Sequence, residues 1–567
     1  MRVFLAVSAR PHRLEALGQA VRRARDAIGA TFPVAAERIR ASEWISSNGG
    51  VHVLTWTNEP GWEPATGPDG ITVVAGHHPG EPGREPATWQ PGCFALLRAG
   101  EHGITASTSI APADPVYHAE TPDLFVVGNR ALLVRLAAHG EVRYDVAALQ
   151  SVARQGYFLS EETPYAGVRA LPPASELAAG ERLTVTTEPL PVGRGRTGAA
   201  QVAERMLEAV RPLAGGRDRV RVTLTGGRDS RLIAALLHGA GIPFRAFTSG
   251  FDDHPDVVVA REVAAALGVE HDVTTPVLTQ GNELSVVHPA DRVHHVLRAC
   301  EGMLSAYENI TADAPYSDVP RLGGHNGEIL RGGYLSGMEE ATPEAIRRRT
   351  ETLFLAHRGL FTDTANDHAE ELSWSSDALH VPDHLYVRFR VGRWHAAARA
   401  AMLRQGTPVQ PFLDNRVVRA ALGMDPGVRR SERLVHRLIR TFAPPLAELP
   451  LEGRPWRFRT EGRFARWRNK AARHISAPRP KPWNWRTEPG QELAEELRET
   501  IVACSRLGEI VRLDKVPALF DGGRLVKPAL VWHLYTVAGL LGADLTAPGT
   551  ASRGRVTVPT KRPLMAS

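Results

Sequence analysis

The stretch that most constrains this chain is residues 220–267. There a short apolar run, Val220-Arg-Val-Thr-Leu, meets a two-glycine turn and then an apolar helical pattern over residues 232–239. A second run at residues 244–248 is followed by another helical pattern over residues 257–267. Strand, helix, strand, helix implies a parallel sheet, because parallel neighbours need a crossover long enough to hold a helix.

The rest of the chain is organised differently. From residue 3 to about 187 it shows short apolar runs broken by Gly and Pro, such as Val51-His-Val-Leu-Thr-Trp and Leu124-Phe-Val-Val, which read as strands. Helical spacing is confined there to residues 13–28, 131–139 and 145–155. A Pro/Gly-rich connector, Pro189-Leu-Pro-Val-Gly-Arg-Gly-Arg-Thr-Gly, then precedes a long helical pattern starting near Ala200. With 567 residues, two or more folded units are expected. The pattern divides the chain into a β-rich domain at 1–188, a linker at 189–200, an α/β domain with a helical remainder at 201–546, and a disordered tail at 547–567.

Composition narrows the class. The chain is 43% hydrophobic and 23% charged, as expected for a globular protein. No segment approaches about 18 uninterrupted apolar residues, and Met1-Arg-Val-Phe-Leu-Ala-Val-Ser lacks the pattern of a signal peptide. Cys93, Cys300 and Cys504 are far apart, which excludes a disulfide framework and a metal-type Cys pair. A cytoplasmic protein without a membrane span is expected. The net charge of +6 is unevenly spread. Between Arg454 and Arg486 lie Arg457, Arg459, Arg463, Arg466, Arg468, Lys470, Arg473, Arg479 and Lys481, interleaved with Trp456, Trp467, Trp483 and Trp485. That stretch is expected to face an anion or an acidic peptide.

The chemistry is expected at Leu224-Thr225-Gly226-Gly227-Arg228-Asp229-Ser230, where a strand runs into a helix. Glycines let backbone approach an anion, amides at a helix start point at phosphate oxygens, and Thr225 and Ser230 add hydroxyls. Asp229 would repel a phosphate unless Mg²⁺ bridges the two, since a hard cation takes oxygen ligands from both. A plain strand-to-helix connection is the competing reading of the same residues.

These residues resemble the ATP pyrophosphatase loop Ser-Gly-Gly-x-Asp-Ser, with Thr225 in the first position. Phe247-Thr248-Ser249-Gly250, Asp256 and Leu267-Gly-Val-Glu-His271 resemble the second strand and helix of the nucleotide site in asparagine synthetase-like proteins, which implies adenine near 247–250. Gly324-His325-Asn326-Gly327-Glu328 and the following Arg331-Gly-Gly-Tyr334 resemble that family's Gly-x-Gly-Ser-Asp-x-x-x-Gly-Gly-Tyr segment, with Glu328 at its second magnesium-binding Asp. A carboxylate favoured by a helix dipole is the alternative for Glu328. Pro411-Phe412-Leu413-Asp414 and the helical pattern over 432–442 resemble further segments of the family, together spanning about residues 200–545. The family's Glu-x-Arg is missing, Thr407 and Val409 standing there, and its catalytic Lys is replaced by His436, flanked by Arg433 and Arg437. The resemblance implies ATP and Mg²⁺ as cofactors, Asp229 and Glu328 as metal ligands, and a cation from Arg433, His436 or Arg437 for the pyrophosphate.

Gly92-Cys-Phe-Ala95, Asp114-Pro115-Val-Tyr117 and Thr163-Pro164-Tyr165-Ala-Gly167 resemble the glutaminase domain of the same family, an Ntn-type β-rich sandwich. Its reaction uses a cysteine directly after the initiator Met, where this chain has Arg2, and Cys93 reads as a structural thiol. An adenylating half without ammonia production resembles β-lactam synthetases and the lasso peptide macrolactam synthetases. The implied reaction is ATP-dependent amide formation through an acyl-adenylate, with His325 as base, that cyclises a precursor peptide as a lasso-type macrolactam. A leader peptide-binding protein and a leader peptidase are the implied partners. Amidation of a small carboxylate with ammonia or an internal amine is the alternative. A tRNA-modifying enzyme and a non-catalytic scaffold are disfavoured, the first by the glutaminase-like half and the second by the intact glycine loop.

Overall fold

The computed structural model describes residues 1–191, 193, 197–216, 219–275, 283–308, 314–372, 380–453, 455–460, 484–543, 545 and 552–559. The first half builds two six-stranded antiparallel sheets. The first runs, in spatial order, Arg169–Ala170, Tyr117–Glu120, Leu124–Gly128, Arg2–Ala9, Val51–Thr57, Arg40–Ile45. The second runs Leu183–Thr187, Ser175–Ala179, Gly103–Thr108, Cys93–Gly100, Gly70–His77, Ala65–Gly67.

The strand Arg2–Ala9 explains the layering. Phe4 and Ala6 join Val53, Val73, Leu97 and Phe125 between the two sheets. Val3, Leu5 and Val7 project the other way, onto the helices Leu14–Thr31 and Ala131–His139. A strand covered on both faces is apolar throughout instead of alternating. The third expected helix is shorter than its pattern and spans Gln150–Gln155. Asp145 lies ahead of it, its Oδ1 accepting the Ala148 amide at 3.2 Å, as a short polar side chain does in a turn.

The parallel sheet predicted from residues 220–267 is present and has four strands, ordered His271–Thr274, Phe244–Ser249, Val220–Thr223, Arg321–Gly323. Val222 lies opposite both Ala246 and Leu322. The two outer strands are only three or four residues long, too short for a period of two to register in the sequence. Helix Arg228–Gly239 buries Leu232, Ile233 and Leu236 against Leu434, Val435 and Leu438 of helix Arg433–Phe442.

The tail differs from expectation. Arg555–Pro559 forms a strand antiparallel to Glu283–Val287, and its Val558 is fully buried with Val286 and Leu493. Alternating Val556 and Val558 supplied an apolar face that the basic composition of the tail concealed. Among the described residues no helix is long and apolar enough to cross a membrane.

Candidate active site

The site forms where the carboxyl ends of Val220–Thr223 and Arg321–Gly323 release two loops side by side. In the first, the Thr225 and Ser230 hydroxyls lie 2.9 Å apart, Ser230 Oγ accepts the Thr225 amide at 3.1 Å, and Thr225 Oγ1 accepts the Gly227 amide at 3.2 Å. The Gly226 amide donates to Asp256 Oδ1 at 2.9 Å. The hydroxyls and glycine amides expected on a phosphate are thus engaged within the loop and with Asp256. The donors left over are the first-turn amides of helix Arg228–Gly239, which have no partner within the helix.

The second loop presses onto the first. A Cβ on Gly324 would stand 2.4 Å from the Ser230 nitrogen, and one on Gly327 would stand 2.3 Å from Asp229 Cγ. Only glycine permits that approach. It brings Glu328 and Arg331 against Asp229. Arg331 donates to both carboxylate oxygens of Asp229, from Nη2 at 2.6 Å and Nε at 3.2 Å. The same Nη2 is 3.5 Å from Glu328 Oε1, and Nη1 is 3.9 Å from Glu432 Oε1. Glu328 Oε2 accepts the Tyr386 hydroxyl at 2.8 Å. Burial pushes the Asp229 carboxyl above its ordinary range; Arg331 opposes this and Glu328 adds to it. Burial works to lower the Arg331 pKa, but Asp229, Glu328 and Glu432 together outweigh it and raise it.

Two lobes meet at Gly227, Arg228 and Asp229. The smaller, about 330 Å³, is walled by Thr225, Ser230, His325, Glu328, Arg390 and Trp394. The larger, about 540 Å³, is walled by Arg331, Glu339, Glu432, Glu452 and Arg457. His325 is exposed at the smaller lobe with its ring centroid 5.9 Å from that of His395; the protein around its base pushes its pKa below 6.5, and Glu328 opposes the shift. His395 is buried, and Gln410 Nε2 lies 2.7 Å from its Nε2. Because Gln410 Oε1 accepts from Arg399, its amide nitrogen is the donor, so His395 carries its proton on Nδ1.

Of the residues expected here from sequence, Thr225, Gly227, Arg228, Asp229, Ser230, Gly324, His325 and Glu328 line the cleft. Gly226 does not line it, its Cα facing Glu452 and Val259. Leu224 is fully buried in the core. Thr248 Oγ1 donates to Leu224 O at 2.7 Å and lies 2.8 Å from His271 Nε2, and the Arg221 guanidinium covers the Phe247 ring at 4.1 Å. Phe247, Thr248 and the exposed Ser249 are not walls of either lobe. Arg433, His436 and Arg437 are not brought there either. His436 packs edge-on against Trp456 and Phe458 at 5.2 and 5.1 Å, and Arg433 and Arg437 are exposed.

Among the described residues, the cations that reach the cleft are Arg228, Arg331, Arg390 and Arg457. Arg390 stacks on Trp394 at 3.4 Å within a π-helical segment, Tyr386–His395, a backbone form with no sequence signature. Of the basic stretch, residues 454 and 461–483 lie outside the described residues. Its described members turn inward: Arg457 donates to Ser336 O and Met338 O at 2.7 and 2.8 Å, Arg228 covers Trp456 at 5.2 Å, and Trp485 packs on Trp532.

In the β-rich half, Cys93 is sealed. Its thiol donates to Ala111 O at 3.3 Å, and burial, reinforced by Asp114, pushes its pKa up to about 12.

No curated protein matches the sequence. Among solved structures, a glutamine phosphoribosylpyrophosphate (PRPP) amidotransferase from B. subtilis complexed with ADP and GMP is similar at 8% identity, with a TM-score of 0.21. The similarity covers 48% of this chain and 65% of that one. Residues 201–450, which contain both loops of the cleft, match the family model described as asparagine synthase, and this region is therefore asparagine synthase-like.

Proposed function

We propose that this protein forms an amide bond at the expense of ATP, joining an Asp or Glu side chain of a peptide to that peptide's own N-terminal amine. The observation that carries the reading is the meeting of Asp229 and Glu328 over the first turn of helix Arg228–Gly239, within the asparagine synthase-like region. The residues fit a magnesium ion, which keeps several waters and takes one or two carboxylates together with phosphate oxygens. Asp229 and Glu328 would hold it, and it would supply charge neutralisation at the phosphates.

The substrate carboxylate attacks the α-phosphorus of ATP, the bond to the bridging oxygen breaks, and pyrophosphate leaves. The first-turn amides of helix Arg228–Gly239 stabilise the charge on it. The amine then attacks the acyl carbon of the adenylate and AMP departs with the C–O bond pair. His325, kept neutral at neutral pH, accepts the amine proton. The sealed Cys93 supports an amine that comes from the substrate rather than from glutamine hydrolysis. Tethering then replaces ammonia delivery, and orientation lowers such a barrier by about 7–11 kcal/mol. A leader peptide-binding protein and a leader peptidase would present the peptide.

The test is mass spectrometry of linear Asp- or Glu-containing peptides incubated with the protein, ATP and Mg²⁺. The expected product is lighter by one water. Efficient conversion of free aspartate and ammonia to asparagine, with no peptide cyclised, would replace this reading with an ammonia-dependent synthetase.

A further inference from the structure

We infer that Arg331 is the phosphate-chain receptor of this cleft, held between Asp229 and Glu328 until a nucleotide and its cation displace it. The inference rests on the proposed ATP reaction and names a residue that reaction does not yet use.

Arg331 closes the short helical turn Gly327–Arg331, and Gly327 allows that turn to lie directly on Asp229. Its guanidinium therefore occupies the space between the two carboxylates expected to hold a divalent ion, 2.6 Å from Asp229 Oδ2 and 3.5 Å from Glu328 Oε1. Magnesium bonds carboxylate oxygen at about 2.0–2.1 Å. Arg331 takes both Asp229 oxygens, through Nε and Nη2, and sets Nη2 between that carboxylate and Glu328. A divalent ion chelated by both carboxylates needs the space and the lone pairs that the guanidinium fills, so metal binding between them releases Arg331.

The release has a direction. Arg331 also walls the larger lobe, where Nη1 already stands 3.9 Å from Glu432. Its neighbours there have other tasks. Arg228 donates to Glu432 Oε2 and Pro455 O, and Arg457 to Ser336 O and Met338 O. Neither of those engagements is removed when Asp229 and Glu328 take a metal ion. Arg331 alone among these three would lose its main partners at the moment a polyanion arrives, and its planar fork suits two phosphate oxygens. This also accounts for a pyrophosphate site whose expected cations, Arg433, His436 and Arg437, stand away from the cleft.

The test uses the full chain and two probes: Mn²⁺ alone, followed by electron paramagnetic resonance, and magnesium pyrophosphate, followed by calorimetry. In Arg331→Met, Mn²⁺ should bind roughly tenfold more tightly than in wild type, because the guanidinium that occupies the site in most molecules is gone. Magnesium pyrophosphate should bind roughly tenfold more weakly. Arg331→Lys, which keeps the charge without the fork, should hold Mn²⁺ affinity near wild type and still lose pyrophosphate affinity; it serves if the Met variant does not fold. A purely structural role would weaken both probes together, and that result, or unchanged pyrophosphate affinity, overturns the inference. If wild type binds Mg-ATP and Arg331→Met binds pyrophosphate equally well, only this inference falls. If wild type binds neither, the proposed reaction falls with it.

Discussion

One added carbon at Gly327 would meet Asp229 Cγ at 2.3 Å, so the union of the two loops depends on a missing side chain. Gly327→Ala is expected to separate the loops, with overpacking costing about 1–3 kcal/mol of stability. Nucleotide binding, measured by calorimetry, should fall with it; unaltered binding would show that the loops need not touch. His325→Ala should slow amide formation while sparing adenylate formation, visible as retained pyrophosphate exchange with reduced product. Other single residues set a pH dependence. Burial lowers His77 and His118 to about 4, and His395 and His533 to about 3. Because these folded-state values lie below the ordinary 6.5, the unfolded chain takes up protons first as pH falls. Their contribution is complete above pH 6.5 and is lost progressively towards pH 3–4. The urea midpoint should therefore drop between pH 7 and pH 5, and a flat profile would contradict the burial of these rings.

Elements differ in how clearly the sequence announced them. Val220–Thr223 and helix Arg228–Gly239 were legible because glycine punctuation and an apolar helix face coincide there. The cleft residues of the two loops were legible through their chemistry. Arg331 and Glu432 were not, because both owe their place to tertiary contact: Arg331 reaches Asp229 across 102 residues, and Glu432 reaches Arg228 across 204. Helical spacing on Arg433–Phe442 could not reveal that Arg433 and Arg437 face solvent instead of the cleft. The strand Arg555–Pro559 was hidden by its basic surroundings. Removing residues 552–567 should leave Glu283–Val287 without a partner and open the packing of Val286 on Leu493. A melting temperature lower by about 2–4 °C, with new proteolysis near residue 285, is the expected outcome.

At the scale of the whole molecule, the connector divides two sets of sheets but not two cores. One apolar cluster contains Leu5, Leu132, Leu297, Leu497 and Trp532, from both sides of it. Polar side chains cross the same seam. Glu301 accepts the Ala131 and Leu132 amides at 3.1 and 2.9 Å, capping a helix of the other half. Asp414 accepts the Gly92 amide at 2.9 Å, and Asn415 binds Ile110 N, Ala87 O and Gln90 O. The Pro411–Leu413 turn and the two residues after it therefore fasten the asparagine synthase-like region to the β-rich half. Asn415→Ala should cost about 3 kcal/mol, since it strands the buried Ile110 amide and the Ala87 and Gln90 carbonyls of the β-rich half, and denaturant unfolding would measure it.

The central claim, that the cleft adenylates a carboxylate, is tested most directly by exchange of labelled pyrophosphate into ATP. Free Asp, free Glu and linear Asp- or Glu-containing peptides would be supplied in turn with Mg²⁺. The account predicts carboxylate-dependent exchange, AMP as the nucleotide product, and loss of exchange in both Asp229→Ala and Glu328→Ala. Formation of ADP, or wild-type exchange in either variant, would contradict it.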